Sequence, residues 1–121
     1  MDIIPDFLMK KIYKKGSLKE TKDGIVFNLK NILGPGIITG INFIKINDEI
    51  YKSSVIKIIT KEFSTIAENI NADNPVLFKL NQEITCLLED AQGLKEGLNK
   101  IIVELISKEV GSVQVTLTDI L

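Results

Sequence analysis

The strongest constraint in this chain of 121 residues is an alternation of apolar and polar side chains with a period of two, clearest near the C-terminal end. Val113, Val115 and Leu117 would lie on one face of a strand, with the polar residues between them on the other face. The segment 100–108 alternates in the same way, and a turn at 109–112 separates the two segments. The sequence therefore predicts an antiparallel hairpin with one buried face and one face in water.

Similar alternating segments recur at short intervals along the chain, separated by residues that favour turns. Strands at a spacing of about 8–12 residues, without a long helical pattern, favour an all-β domain. We expect residues 1–121 to form a single-domain antiparallel β-sandwich of about eight or nine short strands. A small β-barrel is the alternative.

Two segments depart from the strand pattern. Residues 64–70 begin with a capping Ser64 and place Ile66 and Ile70 four positions apart, which predicts one short helix. Residues 1–9 are expected to be a loose arm or a short helical turn. Neither segment is long enough to add a second domain.

Missing residue types narrow the chemistry that the chain can perform. The sequence has no His, Arg or Trp, a single Cys, and 15 Lys against 16 acidic residues. Without His there is no Ser-His-Asp or Cys-His system, and one Cys does not supply a zinc ligand set. The sequence therefore predicts no catalytic residue, no cofactor and no metal ion. A small-molecule-binding protein or a carboxylate-based enzyme stays open as an alternative.

Four apolar residues fall on strand faces that should be in water. If the alternation is extended along each strand, Leu77, Leu87, Ile102 and Ile106 point away from the core. If their strands are neighbours, these side chains form a patch of the size that a protein partner covers. We therefore expect a non-catalytic interaction module, either an accessory subunit that binds a larger enzyme subunit or a homo-oligomer.

The N-terminal part of the chain is rich in lysine. A predicted edge strand from about 10 to 20 and the turn that follows it carry six lysines around Tyr13: Lys10, Lys11, Lys14, Lys15, Lys19 and Lys22. Such a cluster can attract nucleic acid or an anionic surface, which is an alternative function. Lysines also keep an exposed edge strand from pairing with other chains, and we favour this interpretation. Nucleic acid and membrane are therefore not the expected partners.

The single cysteine and the N-terminus bear on the cellular compartment. Cys86 shares its predicted face with Ile84 and Leu88, so we expect a small core residue rather than a reactive thiol. No basic segment precedes an apolar run as in a signal peptide, and the longest uncharged run, 31–44, is too short to span a bilayer. The expected location is the cytoplasm, where a lone cysteine stays reduced.

A set of turn, hairpin and aromatic positions occurs in the order and spacing of a known family: Gly16-Ser17-Leu18-Lys19, the turn through Gly24, Phe27, Ile44-Lys45-Ile46-Asn47-Asp48-Glu49, Phe63 and Gly93-Leu94-x-x-Gly97. Over residues 16–106 the chain resembles the small (β) subunit of C-glycoside deglycosidases and related uncharacterised small bacterial and archaeal proteins. In that family the small subunit is a β-sandwich packed on a larger barrel subunit, which carries the metal and the acid/base residues. The resemblance implies a non-catalytic accessory role and transfers no catalytic residue to this chain. A stand-alone homo-oligomer is the alternative.

Overall fold

Two antiparallel β-sheets packed face to face make up the protein as far as the structure describes it. The computed structural model describes residues 10–121. Within this range there is no α-helix, and the sheets do not close into a barrel. The predicted all-β sandwich is therefore confirmed. The arm predicted over residues 1–9 lies outside the described residues.

The described chain contains slightly more strands than the alternation predicts. The ten strands are β1 (Lys19–Thr21), β2 (Gly24–Lys30), β3 (Gly36–Ile46), β4 (Glu49–Lys52), β5 (Ile56–Ile59), β6 (Ser64–Ile66), β7 (Val76–Phe78), β8 (Glu83–Glu89), β9 (Leu98–Ser107) and β10 (Gly111–Ile120). Strands β1, β6 and β7 have only three residues each, too few for an alternation to stand out in the sequence.

Each sheet has five strands, and the chain crosses between the sheets several times. Sheet A has the order β1-β2-β8-β5-β6. Sheet B has the order β10-β9-β3-β4, and β7 pairs with the beginning of β3. Strands β8 and β9 follow each other in the chain but lie in different sheets, so the loop between them spans the sandwich.

The hairpin predicted at the C-terminal end is confirmed. Strands β9 and β10 pair from Gly111 opposite Ser107 to Ile120 opposite Leu98. Ile101, Val103 and Leu105 are buried on β9, as the alternation predicts. On β10, Val115 and Leu117 are buried, while Val113 is only partly buried against the core.

Strand β3 is the longest strand, and two β-bulges interrupt its pairing with β9. The register shifts between Ile38 and Gly40 and again between Ile41 and Phe43. Each shift leaves one extra residue on β3, which turns the following side chains to the other face. The buried residues Ile38, Ile41 and Ile44 are therefore three positions apart instead of two.

A buried asparagine fastens the loop that carries the chain from sheet A to sheet B. Asn99 is fully buried at the start of β9. Its side chain accepts a hydrogen bond from the backbone N–H of Lys95 at 2.9 Å and donates to the Lys95 carbonyl at 2.9 Å. The Asn47 side chain also donates to the Asn99 Oδ1 at 3.1 Å, which ties the β3–β4 turn to the same point. Buried polar side chains with complete partners fix one arrangement of a loop.

The short helix predicted over 64–70 is corrected by the structure. Its first part is strand β6, which pairs with β5 along Ser64–Ile66, and its second part is a 3₁₀ turn at Ala67–Asn69. Seven residues form a marginal helix on their own, because nucleation is unfavourable, so pairing with a neighbouring strand prevails. The Asn74 side chain closes the turn by donating to the Asn69 carbonyl at 2.8 Å.

The edge strand predicted over about 10–20 is likewise corrected. Lys10–Ile12 is a 3₁₀ turn, Tyr13 makes a single bridge to Leu29, and only Lys19–Thr21 is in a strand. Gly16 has a φ of +84°, a left-handed conformation, and lies in the turn between Tyr13 and β1. The lysine-rich segment is therefore a folded connection with a short strand at its end.

Gly24, in the β1–β2 hairpin, lies in close contact with the backbone of β8 in sheet A. Its φ is +141°, and a Cβ atom there would lie 1.9 Å from the backbone oxygen of Leu88 on β8. Gly24→Ala is expected to lower the free energy of unfolding by at least about 3 kcal/mol, because backbone strain adds to a clash with fixed backbone. Gly97→Ala is the control, since Gly97 also has a positive φ but no atom within 4 Å of the added Cβ. Urea unfolding measures both, and equal losses would contradict the tight contact between β2 and β8.

Candidate interaction surfaces

The outer face of sheet B carries apolar side chains that the core does not use. Residues opposite each other in an antiparallel pair point to the same side of the sheet. Lys45 of β3 lies opposite Ile50 of β4 and opposite Ile102 of β9, so these three side chains form one row across the outer face. Ile50 is 58% exposed, which is unusual for an isoleucine on a strand.

Two further contacts extend this surface toward the beginning of β3. Leu77 lies opposite Ile37 and is 52% exposed. Ile106 lies opposite Gly40, and a Cβ atom on Gly40 would be only 3.2 Å from its Cδ1, so the isoleucine lies directly over the glycine. We call this surface the sheet B face and define it by six residues: Ile37, Phe43, Ile50, Leu77, Ile102 and Ile106.

The charged residues among these side chains are mostly basic. Phe43 lies opposite Lys52 on one side and Glu104 on the other. The Asn42 side chain donates to the Glu104 carboxylate at 3.2 Å. Lys45 and Lys100 also point outward on this face, as the register of β9 places them in phase with Ile102. Lys45 therefore lies between two of the apolar residues, Lys52 and Lys100 lie beside them, and one glutamate lies among them.

The structure brings together three of the four apolar residues singled out from the sequence. Leu77, Ile102 and Ile106 lie on the sheet B face. Leu87 does not, because β8 is the middle strand of sheet A and Leu87 points outward on the opposite side of the sandwich, between Val26 and Lys57. Alternation shows which side of its own strand a residue takes, but not which sheet the strand joins. The interface role of these residues stays a prediction.

Sequence reasoning missed three members of the sheet B face. Ile37 and Phe43 lie on β3, where the two bulges break the period of two, and Ile50 lies on a strand of only four residues. The one signal in the sequence is Gly40, since a glycine inside an apolar strand often marks a bulge or a close approach of a neighbour.

The six lysines of the predicted basic patch are exposed, but they do not line a common strand. Lys10 and Lys11 belong to the 3₁₀ turn, whereas Lys19 and Lys22 lie at the β1–β2 hairpin. Lys15 lies in the turn between these two groups. A role in binding nucleic acid or an anionic surface stays a prediction.

Lys14 of this set forms an ion pair with a residue of sheet A. Lys14 donates to the Glu83 carboxylate of β8 at 3.1 Å, and this bond lowers the pKa of Glu83. Tyr13, the aromatic residue among the lysines, is buried and packs on Phe27 with 6.1 Å between ring centroids. It is therefore not exposed for stacking on a nucleic acid base.

Tyr13 instead joins the two ends of the described chain. Its hydroxyl donates to the Asp119 Oδ2 at 2.5 Å, and the backbone N–H of Gly16 donates to the same oxygen at 2.9 Å. Burial raises the pKa of the Tyr13 hydroxyl, and the bond to Asp119 raises it further. Burial disfavours the charged form of Asp119, but the hydrogen bonds from Tyr13 and from the backbone outweigh it and lower its pKa. Asp119 is therefore an ionised acceptor at neutral pH.

Cys86 lies in the core and belongs to no cluster of possible metal ligands within the described residues. Cys86 is buried in the core as predicted, and burial raises the pKa of its thiol to about 12. Among residues 10–121, no three His, Cys, Asp or Glu side chains lie together as metal ligands. The same part of the chain contains no helix with the length and apolar character needed to cross a membrane.

An apolar cavity of about 140 Å³ opens between the sheets near the β9–β10 turn. Its wall includes Leu33, Pro35 and Phe78. Asn31, the buried amide in this wall, donates to the carbonyls of Gly34 and Phe78 at 2.6 and 2.8 Å. The polar atoms of this asparagine are thus hydrogen-bonded to the backbone, and the cavity wall offers mainly apolar contacts.

A known protein family matches nearly the whole of this chain. Residues 8–121 match the family described as Hydroxymethylglutaryl-CoA reductase, N-terminal domain. The chain belongs to this family. The domain for which the hydroxymethylglutaryl-CoA reductase N-terminal family is named is a non-catalytic part of an enzyme, which is compatible with an accessory structural module. The comparison with curated proteins found no match. The resemblance to the small subunit of C-glycoside deglycosidases stays a prediction.

The bond between Tyr13 and Asp119 generates a prediction about acid stability. The pKa of Asp119 is lower in the folded protein than in the unfolded chain. Its contribution to the free energy of unfolding is therefore complete above the unfolded pKa of about 3.9 and is lost as the pH falls through the folded pKa. Tyr13→Phe is expected to lower the free energy of unfolding at pH 7 by about 2 kcal/mol, the usual effect of a hydrogen bond to a charged group. The difference from the unchanged protein should shrink below pH of about 4.

The matched control is Tyr51→Phe, which removes a hydroxyl whose bond to the Gln92 carbonyl is exposed and 3.4 Å long. It should change the free energy of unfolding by less than about 0.5 kcal/mol. Urea unfolding at several pH values measures both variants. A loss at Tyr13→Phe that is the same at pH 7 and pH 3 would show that the Asp119 carboxylate is not involved.

Proposed function

We propose that the chain is a non-catalytic module that binds the catalytic part of a larger enzyme through the sheet B face. The observation that carries the proposal is the outward row with Ile50 and Ile102 on either side of Lys45. Leu77 and Ile106 continue this row toward the start of β3. Several apolar residues exposed together on the outer face of a sheet are typical of surfaces that another protein covers.

Membership of the reductase N-terminal family supports an enzyme as the partner. The domain that names the family is a non-catalytic part of an enzyme. The resemblance to the small subunit of C-glycoside deglycosidases points to the same kind of role with a different catalytic chain. A chain without His or Arg suits this role, because the reacting groups would come from the partner.

The charges on the sheet B face indicate what the partner surface should carry. Lys45 lies between Ile50 and Ile102, Lys52 and Lys100 lie beside the apolar residues, and Glu104 is held by Asn42. A complementary surface would be apolar and would carry carboxylates opposite these lysines. We also infer a cytoplasmic location, because a single, buried cysteine without a disulfide partner is usual in a reducing compartment.

The test is co-expression of the chain with two catalytic chains from its own source organism. One is the catalytic part of hydroxymethylglutaryl-CoA reductase, and the other is the larger subunit of a C-glycoside deglycosidase. We expect a complex of defined mass with one of them, measured by light scattering after size exclusion, and its identity selects the partner. Binding to neither catalytic chain would contradict the proposal.

Paired variants test the surface itself. Ile102→Lys combined with Ile106→Lys is expected to weaken this complex by about 30-fold or more, because charges would replace two apolar contacts at the centre of the surface. Leu87→Lys is the matched control, since Leu87 is a partly buried leucine on the outer face of the other sheet. Equal weakening by both variants, each with unchanged urea unfolding, would place the partner elsewhere.

A further inference from the structure

In the part of the chain that the structure describes, strand β10 is an edge strand of sheet B. It has ten residues and, among the described strands, it pairs with β9 alone. Residues 13–16 run beside it but face sheet A, since Lys14 donates its N–H to the Asn28 carbonyl of β2 at 2.9 Å. No backbone hydrogen bond joins residues 13–16 to β10 in the part of the chain that the structure describes. Their hydrogen bonds to β10 are made to the Asp119 side chain, and Tyr13 and Lys15 also line a pocket with Thr116, Leu117 and Thr118.

The other edges of both sheets are short or charged. Strand β1 has three residues and includes Lys19 and Glu20, and β4 has four residues and includes Glu49 and Lys52. Strand β6 has three residues, and β7 has three residues directly after Pro75. Short strands, charges and proline are the usual means by which proteins keep sheet edges from pairing with other chains.

Strand β10 is not short, and its residues 111–118 include neither a charge nor a proline. These residues are rich in Val and Thr, which favour strands. The one charge of the strand, Asp119, is buried and bonded to Tyr13. A strand of this length with an uncharged edge is the kind that pairs with another strand.

The alternation of hydrogen bonds between β9 and β10 shows which backbone groups of β10 point away from β9. Leu121 and Gly97 exchange two backbone hydrogen bonds, at 2.9 and 3.4 Å. Because such pairs alternate along an antiparallel ladder, the odd-numbered residues of β10 bond to β9 and the even-numbered residues direct their N–H and C=O groups to the open edge. The N–H of Ile120 fits this alternation, since it bonds to the Asp119 side chain at 2.8 Å and not to β9.

We propose that β10 pairs in antiparallel fashion with β10 of a second copy of this chain, in a register centred on Val115. Gln114 then faces Thr116 of the second copy, and Ser112 faces Thr118, so that uncharged polar side chains meet on the outer side. On the core side, Val113 faces Leu117 of the second copy.

A second copy fits this edge because the strand is complementary to itself. An antiparallel two-fold pairing centred on a residue sets even-numbered residues against even-numbered ones, so every open N–H meets an open C=O. The pairing also covers Val113, which is only partly buried in the single chain. Sheet B then continues across the two copies, with both sheet B faces on one side.

The self-pairing is tested by sedimentation of the free chain over a wide range of concentrations. A single pair of strands makes a small interface, so we expect a monomer–dimer equilibrium with a dissociation constant of about micromolar or weaker. Gln114→Lys combined with Thr116→Lys sets lysine against lysine at two positions and should raise this constant by at least about tenfold. The control adds two lysines at exposed sites away from β10, Ser64→Lys with Leu80→Lys, and should leave it unchanged.

A cross-link tests the register. Residues in a hydrogen-bonded antiparallel pair have Cα atoms about 5.5 Å apart, within the range that a disulfide spans. A mixture of Gln114→Cys and Thr116→Cys chains should form a disulfide-linked dimer on mild oxidation faster than either chain alone. Cys86 should not interfere, because its thiol is buried and has a raised pKa.

The outcomes separate this inference from the proposed function. A chain that stays monomeric at the highest concentration, or a dimer that the two lysines on β10 do not weaken, overturns the self-pairing. If those lysines instead weaken the complex with the catalytic chain while the free chain is monomeric, a segment of that partner occupies the edge and the self-pairing is also overturned. The sheet B face is tested independently, because its variants leave the backbone edge of β10 intact.

Discussion

Strand β3 is the element on which the organisation of sheet B depends. It pairs with β9, β4 and β7, and its two bulges keep Ile38, Ile41 and Ile44 on the buried side in spite of their spacing. Without the bulges, a strict period of two would turn one of these isoleucines into water. The bulges turn Ile41 inward, while Ile37 and Phe43, which precede the buried Ile38 and Ile44, lie on the outer face. The core requirement of β3 therefore also determines which apolar side chains sheet B presents to other molecules.

Regular alternation made the all-β class and the β9–β10 hairpin predictable, because each residue on these strands takes the side that its neighbours imply. Prediction failed where the physical cause lies in another part of the chain. The helical pattern over 64–70 is overridden by pairing with β5, and Leu87 is separated from Ile102 because the loop fastened by Asn99 crosses to the other sheet. Bulges on β3 depend on its pairing with β9, which local periodicity does not record.

The two sheets differ in what they leave exposed. Sheet A has edge strands of three residues, one of them charged, whereas sheet B has an outer face of apolar residues with lysines among and beside them, and a long edge strand whose one charge is buried. The bond from Tyr13 to Asp119 removes the one charge of that edge strand from its surface while it closes the sandwich. A domain with these properties can contribute to an enzyme through association, which agrees with membership of a family named for a non-catalytic domain.

Side-chain footprinting of the complex with the catalytic chain tests the central claim most directly, namely that the protein acts through the outer face of sheet B. The chain is labelled with a carbene reagent, free and bound, and the modified residues are located by mass spectrometry. The account predicts that Ile50, Leu77 and Ile102 lose labelling on binding, while Leu87 and Ile66 on the outer face of sheet A keep theirs. Loss of labelling at Leu87 and Ile66 with the sheet B face unchanged would contradict it.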